Sequence, residues 1–224
     1  MPRDREIRLV VFDVDGTLYD QRRLRAVMAA EILATCVRSP RAVRDIRLVR
    51  QYRRCLEDAA ADGGGLDAVA SRTALATGAA EDRVRAVAEE WLQHRPLRHL
   101  PRVGLPPARA TVDALRRAGV MTAAWSDYPV AEKLRALDVD VDFSVWSGDA
   151  GVGALKPHPA GLEEAMSRAG ASAAQTLMVG DRAGRDGAAA AAVGVAFVLA
   201  ARGVRERESA EILSACGLDS RIPG

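Results

Sequence analysis

Short apolar runs alternate with amphipathic stretches along most of the chain. Five runs, Ile7–Phe12, Val120–Trp125, Phe143–Trp146, Thr176–Val179 and Val195–Leu199, are apolar at successive positions rather than at every second one. A strand of that kind is buried on both faces, the condition of a parallel sheet covered by helices. The stretches between them carry helix signals. Pro106 and Pro107 precede a helical period over Ala108–Arg117 that stops at Gly119. Pro129 precedes Val130–Leu137, Pro159 precedes Ala160–Ala169 with Gly170 after it, and Asp186–Val193 stops at Gly194. Proline suits the first turn of a helix and glycine the position just past its end. Strands alternating with helices predict a doubly wound α/β fold with a parallel sheet, Rossmann-like in its layers.

The alternation lapses between the first two runs. From about Gln21 to Arg95 only helical periods occur: Arg22–Val37, Arg41–Ala60, Leu66–Thr77 and Glu81–Gln93. Gly63, Gly64 and Gly65 break the second from the third. A helical module inserted after the first strand lies at the carboxyl edge of the sheet, where ligands bind in such folds. The expected organisation is an α/β core of residues 1–20 and 97–224 with a helical cap of residues 21–96. The chain would cross between them near Tyr19–Arg22 and near Pro96–Gly104.

A length of 224 residues suffices for such a core plus insert. With 49% hydrophobic and 28% charged residues the chain reads as globular. The 32 basic and 30 acidic residues leave a net charge of +2, which argues against a nucleic-acid partner or a membrane surface. Cys36, Cys55 and Cys216 show no metal-binding spacing and predict a reducing compartment. No apolar run approaches the roughly 18 residues of a membrane span, and Asp13 and Asp15 interrupt the first run at once. A cytoplasmic location is the expectation. The oligomeric state is left open.

The chemistry concentrates at predicted strand ends. The first run leads directly into Asp13, Val14, Asp15, Gly16 and Thr17. Two carboxylates two residues apart fall on one side of an extended chain, and glycine permits the turn that follows. Paired acids there suit a divalent cation and proton transfer. Ser126 and Asp127 follow the second run, Gly180 and Asp181 the fourth, with Asp186 five residues on. Lys156 stands between the third run and the next helix. Parallel strands aim all these ends at one crevice. Converging acids repel, so a cation and a lysine are their natural partners.

These motifs resemble the haloacid dehalogenase-like hydrolase superfamily in its phosphatase branch. Asp13–Thr17 matches the first motif, Ser126 the second, Lys156 with Pro157 the third, and the Gly180–Asp186 segment the fourth. The resemblance spans about residues 7–200 and implies the strand order 5-4-1-2-3, a type 1 helical cap, Mg²⁺ and an aspartyl-phosphate intermediate. It implies that Asp13 is the nucleophile, that Asp15 is the general acid and base, and that Lys156 neutralises charge. Asp13, Asp15 through its carbonyl, and Asp181 would hold the metal, with Asp186 behind them. Ser126, Asp127 and Thr17 would meet the substrate. Dehalogenases of the superfamily lack the second acid, so Asp15 favours phosphoryl transfer. The expected activity is hydrolysis of a small phosphorylated metabolite, with a phosphomutase of the β-phosphoglucomutase type or a catalytically idle partner protein as alternatives.

Other residues read more plainly. His158, His94 and His99 read as loop and hinge residues, and Trp125 and Trp146 as core packing. Tyr19 lies beside the first motif and is a candidate to face the substrate. On the second helical period, Arg44, Arg47, Arg50 and Arg54 form a basic side opposite Leu48, Tyr52, Cys55 and Leu56. That side is solvated or contacts a second acidic group of the substrate.

Overall fold

A computed structural model describes residues 6–218. The ends of the two expected core segments lie outside that range. Five strands, β1 (Leu9–Asp13), β2 (Met121–Ser126), β3 (Phe143–Trp146), β4 (Thr176–Gly180) and β5 (Ala196–Leu199), form one parallel sheet in the order β3-β2-β1-β4-β5. Read from the other edge this is the expected order 5-4-1-2-3. β1 is central, with Leu9 beside both Met121 and Thr176, and all five of its residues are buried.

Both faces of β1 are apolar because both are covered. Val10 and Phe12 pack with Val112 and Leu115 of α7 (Pro106–Arg117), Leu134 of α8 (Ala131–Leu137) and Ile212 of α11 (Glu206–Ala215). Leu9 and Val11 face the opposite layer, Leu162 and Ala165 of α9 (Ala160–Ala169) and Ala189 of α10 (Ala188–Ala192). The edge strands β3 and β5 are only partly buried, as an edge position predicts. The expected helix over Asp186–Val193 is instead a π-helical turn, Ala183–Gly187, running into α10.

Between β1 and β2 the chain is helical. The insert comprises α1 (Gln21–Arg38), α2 (Pro40–Ala61), α3 (Leu66–Thr77) and α4 (Glu81–Glu89) with a π-helical turn at Glu90–His94; α5 (Arg95–Leu97) and α6 (Leu100–Val103) follow at the second crossing, and Leu100 and Val103 pack with the sheet module. Asp20 caps α1: its Oδ1 accepts from the backbone N–H groups of Arg22 and Arg23, each at 3.1 Å. Two small apolar clusters hold the insert, one around Tyr52, Cys55, Val69 and Val84, the other around Val49, Val87 and Trp91. Leu155 of the sheet module completes the first. The two crossings touch, with Tyr19 bridged antiparallel to Gly104 and the Asp20 N–H donating to the Val103 carbonyl at 2.8 Å. Among the described residues no helix is long and apolar enough to cross a membrane.

Candidate active site

The carboxyl ends of β1, β2 and β4 meet at one wall of a cavity of about 570 Å³, and the insert forms the facing wall. A second recess of the same volume, lined by Asp113, Arg116 and Met121, lies at the opposite end of the sheet, among surface ion pairs. Asp13, Asp15, Ser126, Asp127, Lys156 and Asp181 all line the first.

Asp13 ends β1 and is nearly buried, 7% exposed. Its Oδ2 accepts from the Thr17 hydroxyl at 2.9 Å and its Oδ1 from Lys156 Nζ at 2.8 Å. Lys156 also donates to Asp186 Oδ1 at 2.9 Å and to the Trp125 carbonyl at 3.0 Å. All three ammonium protons are thus placed. The Nζ also lies 4.5 Å from the Trp125 ring centre. Burial alone would lower the lysine, but Asp13 and Asp186 outweigh it and raise it, so it stays charged. Burial pushes the Asp13 carboxyl up to about 7; Lys156 opposes that, while Asp186, Asp181 and Asp15 add to it.

Asp15 is held differently. Lys133 Nζ donates to both its oxygens, at 2.7 and 2.8 Å, the Tyr19 hydroxyl to Oδ1 at 2.6 Å, and the Ser126 hydroxyl to Oδ2 at 3.4 Å. Burial works to raise this carboxyl, yet the Lys133 charge and these donors hold it below its ordinary value. Two acids two residues apart thereby receive opposite environments.

Asp127 serves the frame. Its Oδ1 accepts from the Lys156 N–H at 2.9 Å and the Ser147 hydroxyl at 3.3 Å, and its Oδ2 from Arg185 Nη2 at 2.8 Å. Arg185 in turn donates to the Lys156 carbonyl through Nε at 3.0 Å and Nη2 at 2.7 Å. Thr17 is fully buried and spends its hydroxyl on Asp13. Ser126 Oγ accepts from the Tyr128 N–H at 3.2 Å, and its side chain lines the cavity.

One ligand atom each from Asp13, Asp181 and Asp186 lie within 4.8 Å of one another. Asp181 is raised to about 6, by burial first and then by Asp186. Three crowded, oxygen-only donors with two carboxyls pushed up could hold a hard divalent cation. Asp186 already accepts from Lys156 and, through Oδ2, from the Arg182 N–H at 3.0 Å. Asp13 likewise accepts on both oxygens, from Thr17 and Lys156, and Asp181, with Arg182 Nε at 4.0 Å, keeps the freer ones. Glycine is required here: Gly16 has φ 104°, and any Cβ on it would run into the Asp181 carboxylate.

Lys133 and Arg185 went unread in the sequence. Lys133 stands one turn from Val130 and Leu137, on the apolar stripe of α8, and a lysine on a buried stripe was the available signal. Arg185 is turned inward by the π-helical turn, which leaves no mark in the residue pattern. Of the four arginines read as one side of α2, Arg50 lines the cavity, while Arg44 and Arg47 are exposed away from it. Arg53, outside that set, joins Arg50 there. His158 is an exposed loop residue whose Nδ1 accepts from the Ala160 N–H at 3.3 Å.

A family model for the haloacid dehalogenase-like hydrolases matches residues 7–194. A phosphoglycolate phosphatase of Pseudomonas syringae pv. syringae (strain B728a) is 32% identical over 203 residues, covering 85% of this chain and 68% of that protein. Among solved structures, a 2-haloacid dehalogenase from Pseudomonas syringae pv. tomato DC3000 superposes with a TM-score of 0.60 at 23% identity over 86% of each chain. A β-phosphoglucomutase from Clostridium difficile superposes with a TM-score of 0.59 at 13% identity, over 93% of this chain and 99% of that one. Such structural likenesses carry the fold; the chemistry is decided by the residues in the cavity.

Proposed function

We propose that this chain, which belongs to the haloacid dehalogenase-like hydrolase family, is a Mg²⁺-dependent phosphatase that hydrolyses a small phosphorylated metabolite through an aspartyl-phosphate. The observation that carries this reading is the pair Asp13 and Asp15, one braced by Lys156 beside the acid cluster, the other held by Lys133 and Tyr19. A second acid at Asp15 is what phosphoryl transfer needs and a dehalogenase does not. The relative that is 32% identical is a phosphoglycolate phosphatase, which favours hydrolysis over mutation.

In the first step a carboxylate oxygen of Asp13 attacks phosphorus. A P–O bond forms to the aspartate as the ester P–O bond breaks; Asp15, ionised at rest, first takes up a proton from the monoanionic ester or from solvent and passes it to the departing oxygen. In the second, Asp15 takes a proton from water, whose oxygen attacks phosphorus. The aspartyl P–O bond breaks, inorganic phosphate leaves and Asp13 is restored. The ionised Asp15 favoured by Lys133 is the form this second step uses. Lys156 offsets charge on Asp13 and the transferring group, and the Ser126 hydroxyl binds a phosphoryl oxygen. Thr17 and Asp127 act through others, Thr17 by orienting Asp13 and Asp127 by fixing the backbone of Lys156. Asp13, Asp181 and the Asp15 carbonyl would hold Mg²⁺, with Asp186 orienting from behind. When bound, the ion neutralises phosphoryl charge. The insert acts as a cap that excludes bulk water and large substrates.

An aryl phosphate in Mg²⁺ buffer tests this. Wild-type chain should release phosphate steadily without a bisphosphate activator. Chelation should stop it, and Mg²⁺ should restore it. Asp13→Asn should lose at least about a thousandfold in kcat. Asp15→Asn, quenched rapidly and weighed intact, should carry one added phosphoryl group. Full turnover after metal removal, or retention of more than a few per cent of kcat in Asp13→Asn, overturns the assignment.

A further inference from the structure

The cap wall of the cavity is basic and apolar at once. From α2 come Ile46, Val49, Arg50, Arg53 and Leu56, spaced as one helical stripe, and α1 adds Arg25 beside Met28. Several arginines elsewhere in the insert have acidic partners, Arg72 with Asp62, Arg83 with Asp45, Arg85 with Glu81 and Arg95 with Glu31, while Arg44, Arg47 and Arg54 stand exposed outside the cavity without one among the described residues. Among the described residues Arg25, Arg50 and Arg53 have none, and Arg25 meets only the Gln21 amide oxygen, at 2.9 Å. Nearby acids are already committed. Asp15 is held by Lys133, and Glu57, next on the stripe, faces Arg182 at 3.5 Å and Arg185 at 3.7 Å.

Two further observations point to an anion as the partner of this wall. Arg53 and Arg25 both line the cavity while reaching solvent, and the Arg53 guanidinium lies below its ordinary value, through partial burial first and then the Arg25 charge, so the two cations repel. And Gln93, set into the cavity wall by the π-helical turn Glu90–His94, has a buried side-chain Nε2 with no hydrogen-bond partner. Unpartnered buried donors are rare, and π-turns often mark functional sites.

We propose that Arg25 and Arg53, backed by Arg50 and Gln93, form a distal anion subsite, so that the accepted ester carries a second acidic group, a carboxylate or a second phosphate. An apolar spacer would lie along Met28, Ile46 and Trp91. The planar guanidinium fork matches either anion in two-point contact. The proposal rests on the phosphatase reading for the group that binds at Asp13, and its test is a binding measurement.

The probes are non-hydrolysable: an alkyl phosphonate, the ω-carboxyalkyl phosphonate of equal length, and the matching bis-phosphonate, over a series of spacer lengths. Titration calorimetry on the full chain in Mg²⁺ buffer should show at least about tenfold tighter binding for a doubly anionic probe at its best length. The better of the two identifies the distal group as carboxylate or phosphate. Arg53→Met and Arg25→Met should each cut that advantage at least about fivefold, Arg53→Lys should keep part of it, and Arg47→Met on the solvent side of α2 should leave it intact. Equal affinity for all three probes at every length overturns the proposal, as does an advantage that survives the Arg25→Met, Arg53→Met double variant with an unchanged melting temperature. Failure of the phosphatase reading has a different signature: no phosphate release from any ester, with the calorimetric advantage still present.

Discussion

The sheet module and the helical insert share one cavity but are built by different rules. Beneath the cavity, β1 is buried over its whole length and sealed by apolar clusters on both faces. Above it, the insert closes around two small clusters and takes Leu155 from the module below to complete one. Among the described residues, five of the seven large hydrophobic side chains exposed to solvent, Val27, Leu33, Val37, Val43 and Leu75, belong to the insert. The residues proposed to hold a phosphoryl group to within a fraction of an ångström stand on the tightly packed side. Those proposed to select the rest of the substrate stand on the loosely packed side, where local opening costs less.

Packing should separate the two most. Phe12→Ala, in the central strand, is expected to cost about 4 kcal/mol, whereas Leu56→Ala in the insert should fall near the low end for such truncations, about 2 kcal/mol. Urea denaturation of both variants measures the gap. Equal losses would show that the insert is packed as firmly as the sheet. Next is Lys133, which reaches from the sheet module to the acid nearest the cap. Lys133→Met should lower kcat about a hundredfold with little change in KM, and Lys133→Arg should recover part of it. An unchanged kcat would mean that Asp15 needs no brace. The smallest effect concerns the strut at the base of the insert. Glu31 of α1 accepts from Arg95 at 3.0 Å and from His99 at 2.9 Å. Burial raises its carboxyl, but His99, Arg98 and Arg95 outweigh that and hold it below its ordinary value of 4.5. A depressed acid stabilises the fold above its unfolded value and loses that contribution as pH falls through its folded value. Glu31→Gln should therefore cost at most about 1 kcal/mol at neutral pH, discounted for partial exposure, and nothing in strong acid. A difference that persists in melting scans in strong acid would place its origin elsewhere than in the carboxylate charge.

Strand positions were legible because a doubly buried strand has to be apolar throughout, and β3 and α9 fall on their expected bounds. Asp13, Asp15, Ser126, Lys156 and Asp181 were legible because parallel strands end on one side, and the structure brings all five to one cavity. What escaped depends on rotation about an axis. The π-helical turns at Glu90–His94 and Ala183–Gly187 each shift the following side chains by part of a turn, and no residue type announces them. The same limit governs α2. Pairing with Asp45, Asp62 or water is equally compatible with any arginine in the run, so only tertiary placement separates Arg50 and Arg53 from Arg44 and Arg47.

The bridge between Tyr19 and Gly104 gives the two linkers a common axis. An insert joined to its partner by two adjacent, hydrogen-bonded chains cannot drift away. Leu24 and Met28 of α1 also pack with the sheet module's cluster, so the local concentration of the insert's arginines over the cavity stays high at any protein dilution. That axis passes through a working residue, because the Tyr19 backbone forms the bridge while its hydroxyl holds Asp15. One residue thereby joins the covalent link between the two halves to the position of the Asp15 carboxylate.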